Sequence, residues 1–495
     1  MRRFGERSWV WGVTCFVVVG CAGGGAPRKA RRGADRGAKR TETAMKTAAA
    51  VAVEKPVAPV VEEITSVEPD VQAVETVDEG DALPPRVDFV KPLRDDPVGR
   101  APGVYFFEDF ESIRNLKDRF QDTSEGEGRF VVSGEDRMSG SRSLGQTYRP
   151  RDSMKGDPGG AGWVSRFVGD SPIGASKIED KRQQRRIWAR WYHKFAEDFN
   201  AEREDGIHYP PKHARLGCKA AGWKKVYSLL HWIGGKDGHI VIERHTKAPG
   251  THREWIPKCD TSFTFETPLN RGRWIHMEMA LILGDAGRTD HVMAWADGRL
   301  ICDIPNDDLV GGWKDLGITY MMWDCYWNGG SPVPGNSRYY DDLALSNRQA
   351  VGPVRTSGKP TLVLCEGPRG ARAVEVEVGF VTQKPLKPLK VYDKVPGSYK
   401  PIELSGDVVW KGVVDGTAKQ VVVDAATGAF TGSLAGRDAL EANTMYMVRL
   451  RRQNGRGAWT PWTDWHAAFA TDWAPGTARD EKAPPRGMLN GDVTR

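Results

Sequence analysis

Apolar and polar residues alternate in short runs along most of the chain from residue 99 onward, and Gly, Asn and Asp separate the runs. The stretch "RIWARWYHKFAEDF", which begins at Arg186, shows this period of two: the two sides of an extended strand receive different residues. One side is mostly apolar, and the other carries aromatics and cations, namely Trp188, Arg190, Tyr192 and Lys194. In "VMAWADGRLICDI", the Asp297-Gly298 pair is typical of a tight hairpin. Because convincing helical periods are few, the pattern predicts an all-β protein built of β-sandwiches, with a jelly roll as the usual topology.

The first residues have a different character. "MRRFGERSWVWGVTCFVVVGC" joins an arginine-rich start to an apolar run that is too short to span a bilayer, which predicts a signal peptide over residues 1–20. Its end resembles the lipobox of bacterial lipoproteins, and this resemblance implies cleavage before Cys21 and acylation of its thiol. An ordinary signal peptide is the alternative. In a Gram-negative cell, Ala22 in place of Asp after the cysteine would imply, by the same resemblance, that the protein is sorted to the outer membrane of the cell envelope.

Residues 21–98 join a basic block to an acidic block rich in Pro and Val, without helical or strand periodicity. We expect a disordered tether that is solvated or lies against anionic lipid or cell-wall polymer. The formal net charge of +6 is close to what the basic block supplies. The folded part is therefore near neutral, and the charge gives no support for a nucleic-acid partner.

The chain has 7 cysteines. Once Cys15 leaves with the signal peptide and Cys21 carries lipid, an odd number remains, so at least one stays unpaired. We expect two disulfides, Cys218 with Cys259 and Cys302 with Cys325, since the predicted compartment permits them. The cysteine and histidine spacings do not suggest zinc.

Three segments between residues 99 and 353 carry a resemblance to a known fold. They are "VYFFEDFES", "GRWIHMEMALILGDAGRTDHVMAWADGRLICDI" and "SRYYDDLALSN". Together they resemble the concanavalin-A-like jelly rolls of bacterial polysaccharide-degrading proteins. The stretch from "RWYHKFAEDF" to "PPKHARLG" also looks like part of the alginate, glucuronan and heparin lyases of this fold. The resemblance implies two packed sheets with a concave, polysaccharide-binding face.

On that expectation, sugar rings stack on aromatics and cations pair with uronate carboxylates. The expected carbohydrate-binding residues are Trp188, Lys194 and Tyr326. β-Elimination needs a group that neutralises the carboxylate, a base and an acid. The candidates are Arg190 or Lys212 for the carboxylate, His213 or His231 for the base, and Tyr192 or Tyr227 for the acid. This hypothesis predicts that Tyr227 and His231 share a face with Arg190 and Tyr192.

Two other functions remain open: a non-catalytic glycan-binding or adhesion protein, and a structural envelope protein. The plainer interpretation of each candidate histidine is a surface or core-edge imidazole, and the tyrosines could simply pack. A retaining glycosidase is less expected because the folded region lacks a Glu-x-Asp-x-x-Glu strand. No cofactor is required, but four acidic residues at predicted strand edges could hold a structural calcium: Asp109, Glu111, Asp341 and Asp342. Alternatively, the aspartate pair only protects an edge strand.

A second sandwich is predicted over residues 359–471, after a linker at 354–358 and before a disordered tail at 472–495. Its segment "LEANTMYMVRLRRQNGRGAW" resembles strand F of fibronectin type III domains, which implies that Tyr446 forms a tyrosine corner. Asn454-Gly455 predicts the following turn. We expect Arg449 and Arg451 to stack between the indoles of "WTPWTDW".

Overall fold

The computed structural model describes part of the chain, and all of that part belongs to one compact unit. The described residues are 83–93, 97–123, 130–148, 163–167, 183–200, 212–220, 225–234, 239–246, 254–255, 263–265, 267–284, 290–307, 309–310, 316–325, 336–366, 370–384 and 403–489.

These residues form strands and a few short 3-10 helices. In chain order the strands are β1 (Val87–Val90), β2 (Val104–Glu108), β3 (Asp122–Thr123), β4 (Val131–Ser133), β5 (Ser143–Thr147), β6 (Trp163–Phe167), β7 (Arg186–Phe195), β8 (Lys212–Ala220), β9 (Lys225–Gly234), β10 (His239–Thr246), β11 (Glu254–Trp255), β12 (Ile275–Ile282), β13 (Asp290–Ala296), β14 (Arg299–Asp307), β15 (Tyr320–Asp324), β16 (Ser337–Ser346), β17 (Arg355–Thr356), β18 (Thr361–Leu364), β19 (Ala373–Gln383), β20 (Leu404–Asp415), β21 (Gln420–Val422), β22 (Gly428–Phe430), β23 (Met445–Gln453) and β24 (His466–Thr471). The 3-10 helices are Pro97–Arg100, Leu116–Asp118, Gly432–Leu434 and Arg479–Glu481. Within the described part, no helix has the length and apolar character needed to cross a membrane.

Two large antiparallel sheets form the first sandwich. The seven-stranded sheet has the order β11-β10-β9-β8-β15-β6-β3, and the eight-stranded sheet has the order β14-β13-β12-β7-β16-β5-β4, with β2 beside β16. Their facing sides share one apolar core, which includes Trp191 and Met279 from the eight-stranded sheet and Leu216 and Trp323 from the seven-stranded sheet. The prediction of an all-β fold with a jelly-roll sandwich is confirmed.

The hairpin between β13 and β14 turns at Asp297 and Gly298, which both have positive φ. This is the geometry of a type I′ turn, so the predicted hairpin is confirmed. Asp297 is fully buried there and accepts from Arg273 at 2.7 Å and from the backbone N–H of Ala467 at 3.0 Å. Burial raises the pKa of Asp297, but the charge of Arg273 outweighs this effect and lowers the pKa to about 2. Asp297 is therefore ionised, and its carboxylate links the two sandwiches.

The C-terminal sandwich combines a six-stranded sheet, β17-β24-β23-β19-β20-β22, with a three-stranded sheet, β1-β18-β21. Strand β1 precedes the jelly roll in sequence but pairs with β18, which follows it. The tether therefore does not extend to residue 98 as expected, because residues 87–90 complete a sheet of the second sandwich. The jelly roll is inserted between β1 and the remainder of that sandwich.

The second sandwich covers the side of the eight-stranded sheet that faces away from the jelly-roll core. Trp188 and Trp295 from that sheet share an apolar cluster with Met445, Trp465 and Met488. The chain beyond residue 472 also packs here: the carbonyl of Leu489 accepts from Trp295 Nε1 at 2.7 Å. The expected disordered tail is therefore wrong for residues 472–489, because apolar contacts and hydrogen bonds hold them across both sandwiches.

The predicted disulfide between Cys302 and Cys325 does not form. Cys302 lies on β14 of the eight-stranded sheet, whereas Cys325 follows β15 of the seven-stranded sheet, and the Cys325 thiol donates to the hydroxyl of Tyr340 at 3.4 Å. Cys218 is buried, and its expected partner, Cys259, lies outside the described residues, so this pairing stays a prediction.

The tryptophan-rich end of the second sandwich has the predicted ladder. Arg449 lies 4.9 Å from the ring centre of Trp462 and 4.7 Å from that of Trp465, and Arg451 extends the stack between Trp459 and Trp462. Arg449 Nε also donates to Glu377 at 2.7 Å, so a carboxylate on β19 neutralises the cation. The stacking prediction is confirmed.

The hydroxyl of Tyr446 accepts from the backbone N–H of Glu441, five residues earlier, at 3.1 Å. This is the kind of contact that a tyrosine corner makes. The fibronectin type III likeness itself stays a prediction.

Candidate functional site

The predicted aromatic and cationic face of β7 is not a groove. Trp188 packs against the second sandwich, and the Tyr192 hydroxyl accepts from the backbone N–H of Val354 at 2.9 Å. Arg190 is fully buried near the Tyr192 ring. Lys194 Nζ forms ion pairs with Asp88 at 3.2 Å and with Asp136 at 2.9 Å. The prediction that these residues face the polysaccharide is therefore wrong, because this surface is the interface between the sandwiches. The remaining binding candidate, Tyr326, lies outside the described residues.

The predicted bases lie in the core between the two sheets. The Nδ1 atoms of His213 and His231 are 3.0 Å apart, and Trp191 Nε1 donates to His213 Nε2 at 3.2 Å. Burial holds the pKa of His231 at about 3 and that of His213 well below its usual range. A β-bulge in β8, between residues 212 and 214, contributes to this placement by turning His213 inward.

Tyr227 also belongs to this core, and its hydroxyl donates to the carbonyl of Leu316 at 2.8 Å. Tyr227 and His231 are thus separated from Arg190 and Tyr192 by the full thickness of the eight-stranded sheet. The predicted common face does not exist, and the catalytic set that depended on it is withdrawn.

The four acidic residues expected at a calcium site do lie near each other. Asp109, Glu111 and Asp342 line one surface cavity of about 640 Å³, and Asp341 is buried beside it. Backbone N–H groups between residues 138 and 142 donate to the carboxyl groups of Glu111 and Asp341 at 2.7 to 3.1 Å. Among the residues described, no three such side chains are arranged to hold a metal. The calcium site stays a prediction, and the geometry gives it no support.

The outer face of the seven-stranded sheet is the one that turns away from the jelly-roll core. Along β15, Met321 and Trp323 belong to that core, so the alternating residues Tyr320, Met322 and Asp324 lie on the outer face. Cross-strand register extends the assignment, because Tyr320 pairs with Gly217 of β8 and Gly217 pairs with Ser228 of β9. In contrast to the apolar inner face, this face carries several polar groups.

An ion pair marks one end of this face. Arg215 Nε donates to Asp324 Oδ2 at 2.5 Å, and the carboxylate is fully buried while the arginine is partly exposed. Beneath them, on the eight-stranded sheet, Arg338 Nη2 donates to the backbone carbonyls of Lys212 at 2.9 Å and Asp324 at 3.1 Å. The Arg215–Asp324 pair on the outer face and the Arg338 guanidinium in the core are therefore close to each other where β8 and β15 run side by side.

Two hydroxyls, those of Tyr320 and Ser228, flank Gly217 beside this ion pair. The strands approach closely at this point, because a Cβ atom at Gly217 would come within 2.1 Å of the carbonyl of Tyr227. The hydroxyls of Tyr320 and Ser228 lie side by side but lack a well-directed hydrogen bond, although both residues are buried. Burial raises the pKa of Tyr320 to about 12, so its phenol remains protonated. We call Arg215, Gly217, Ser228, Tyr320 and Asp324 the notch.

The sequence contained a signal for the notch. "KHARLGCKA" is strand β8, and its alternation places Arg215 and Gly217 opposite Leu216 and Cys218. The same period in "KVYSLLHW" separates Ser228 from its two inward neighbours. The bulky aromatics drew attention to the wrong face, since they pack in the core and the interface.

No protein-family model matches the chain, and no curated protein matches it. Among solved structures, it is similar to the alginate lyase Aly36B, with 12% identity and a TM-score of 0.33 over 50% of this chain and 99% of that one. It is also similar to the alginate lyase vAL-1 from Chlorella virus, with 17% identity and a TM-score of 0.31 over 44% of this chain and 89% of that one. An alginate lyase from Pseudomonas aeruginosa gives 10% identity and a TM-score of 0.29, over 46% and 88% of the two chains. These scores are low, so the likeness carries no argument about activity.

Proposed function

We propose that the protein binds an acidic polysaccharide on the outer face of the seven-stranded sheet. The notch is the observation that carries this proposal. A buried hydroxyl without a partner costs about 1–3 kcal/mol, so two such groups side by side on the outer face favour a ligand that accepts from them. Hydroxyl and carboxylate oxygens of a sugar would accept from Tyr320 and Ser228.

The charges favour an acidic ligand over a neutral one. Arg215 is a partly exposed cation on this face, whereas its partner, the carboxylate of Asp324, is fully buried. Guanidinium groups bind carboxylates through charge-assisted hydrogen bonds, and the ion pair with Asp324 fixes the orientation of Arg215. A uronate carboxylate placed over the notch would meet the partly exposed guanidinium of Arg215.

Binding requires fewer groups than cleavage, because β-elimination also needs a base. His245 pairs with Ser228 in the register of β10 with β9, but its side chain lies outside the described residues. Tyr320 is protonated and therefore suited to donate a proton, which keeps a lyase as the second candidate. Absorbance near 232 nm, where unsaturated uronates absorb, tests that candidate directly on the same polysaccharides.

The test of binding is electrophoresis of the full chain through gels that contain alginate, glucuronan, heparin, hyaluronan or pectate. At least one polysaccharide should retard the wild type, and Tyr320→Phe should abolish the retardation without loss of stability, because it removes only an unpartnered hydroxyl. Tyr339→Phe is the matched control on the other sheet and should behave as wild type. Unretarded migration in every gel, or equal retardation of both variants, would contradict the proposal.

We also propose that the N-terminal region anchors the protein to a bacterial outer membrane through lipid on Cys21, which lies outside the described residues. The lipobox resemblance supports this. Cys21→Ser should move the protein from the membrane fraction to the soluble fraction. Retention of that variant in the membrane fraction would show that the anchor lies elsewhere.

A further inference from the structure

Arg338 is a fully buried cation on β16, between the two sheets of the jelly roll. Its Nη2 atom donates to two backbone carbonyls, and its Nε atom donates to Oε1 of Gln146 on the neighbouring strand at 3.4 Å. Within the described part of the chain, Arg338 Nη1 has no hydrogen-bond partner, and neither has Nε2 of Gln146. Two unused donors therefore occur on side chains that pair across β16 and β5.

The side chains around this guanidinium do not supply a negative charge. The rings of Tyr148 and Tyr340 lie 5.5 Å and 5.7 Å from it, and their hydroxyls donate to backbone carbonyls. Burial raises the pKa of both phenols and raises the pKa of the Cys325 thiol to about 11, so all three are neutral at pH 7. The nearby carboxylate of Asp324 is engaged by Arg215.

His193 lies on β7, which flanks β16 on the side opposite β5, and it does not supply a negative charge to Arg338 either. Burial lowers its pKa well below 6.5, and it is therefore neutral, with both ring nitrogens unpartnered among the described residues. A buried charge is costly unless an opposite charge accompanies it. The described surroundings thus offer N–H donors and positive charge but no counter-charge.

We propose that a small inorganic anion, of the size and charge of chloride, binds between Arg338 Nη1 and the side-chain amide of Gln146. Both groups are donors at these atoms, which suits an anion that can only accept. A water molecule could satisfy the donors, but it would leave the charge of Arg338 uncompensated. This site lies inside the sandwich and is separate from the polysaccharide site on the outer face.

The first test is chemical unfolding of the full chain at several chloride concentrations, with sodium isethionate holding the ionic strength constant. Because a ligand of the native state stabilises by mass action, the folding equilibrium constant should rise up to tenfold for each tenfold increase in chloride above half-saturation. Crystals grown with bromide should show an anomalous peak beside Arg338 and Gln146. A flat chloride dependence without a bromide peak would overturn the proposal.

Gln146→Glu is the sharper variant, because it places a carboxylate where the anion would sit. It should be more stable than the wild type at low chloride and insensitive to added chloride. Gln146→Leu, which removes the amide donor without adding charge, should bind chloride more weakly and remain no more stable than the wild type. If Gln146→Glu were destabilised at low chloride and still responded to chloride, the anion site would be refuted.

Discussion

His193→Phe should make the protein more stable at neutral pH. The imidazole is fully buried, with ring centres 4.3 Å from Phe195, 4.3 Å from His213 and 5.0 Å from Tyr340, and neither of its nitrogens has a hydrogen bond among the described residues. A phenyl ring keeps the aromatic contacts and removes the unsatisfied polar atoms. Since one such buried group costs about 1–3 kcal/mol, we expect a gain of that size at pH 7.5.

The gain should grow on acidification. Burial holds the pKa of His193 well below its ordinary value of 6.5, so the folded protein keeps it neutral while the unfolded chain binds a proton below that pH. The neutral histidine therefore contributes its full stability above pH 6.5 and loses it as the pH falls. At pH 5, about 1.5 units lower, this loss is about 2 kcal/mol for the wild type and is absent in the variant.

The assay is urea unfolding of both proteins at pH 7.5 and pH 5.0, at constant ionic strength. His466→Phe is the matched control: burial lowers its pKa to about 3, but its Nε2 accepts from the backbone N–H of Val87 at 3.1 Å. That variant should lose about 1–3 kcal/mol at pH 7.5 and recover part of the loss at pH 5.0. A His193→Phe protein that is less stable than the wild type, or whose advantage is equal at both pH values, would refute the reasoning.

Three further predictions concern the second sandwich and its contact with the jelly roll. Arg449→Met should lower stability by about 1–2 kcal/mol in thermal unfolding, because it removes a cation stacked between two indoles, and preserved stability would mean that the ladder is incidental. Gly298→Ala should destabilise by at least about 1–3 kcal/mol in urea unfolding, since Gly298 has a positive φ and a Cβ there would lie 2.5 Å from Cβ of Ala468; wild-type stability would contradict this. A chain that starts at residue 99 lacks β1 and should be cleaved faster in limited proteolysis than one that starts at residue 83, and equal resistance would show that β1 is dispensable.

Local pattern was sufficient to predict the all-β class and individual strands and turns. The period of two identified strands such as β7, and the Asp297-Gly298 pair identified its hairpin, because both features depend on neighbours in sequence. The stack of Arg449 and Arg451 with the tryptophans was also predictable, since alternate residues of one strand share a face. The jelly-roll resemblance agreed with this pattern.

The site was harder to predict, because alternation in a strand shows which residues share a face but not which other element packs against that face. Trp188 and Lys194 belong to a face rich in aromatics and cations, as a sugar-binding surface would be, but the second sandwich and β1 cover it. The bulge beside His213 changed the face of one predicted base. The notch depends on Tyr320 meeting Ser228 across Gly217, a register between distant segments that no single run of sequence contains.

The most direct test of the central claim is titration calorimetry of the full chain with the polysaccharide that retards it, compared with the same polysaccharide after reduction of its carboxyl groups. The account predicts binding of the native polymer that weakens with added salt, is lost on carboxyl reduction, and is lost for Tyr320→Phe but not for Tyr339→Phe. Equal affinity for the native and the reduced polymer, or unchanged affinity of Tyr320→Phe, would contradict recognition of an acidic polysaccharide at the notch.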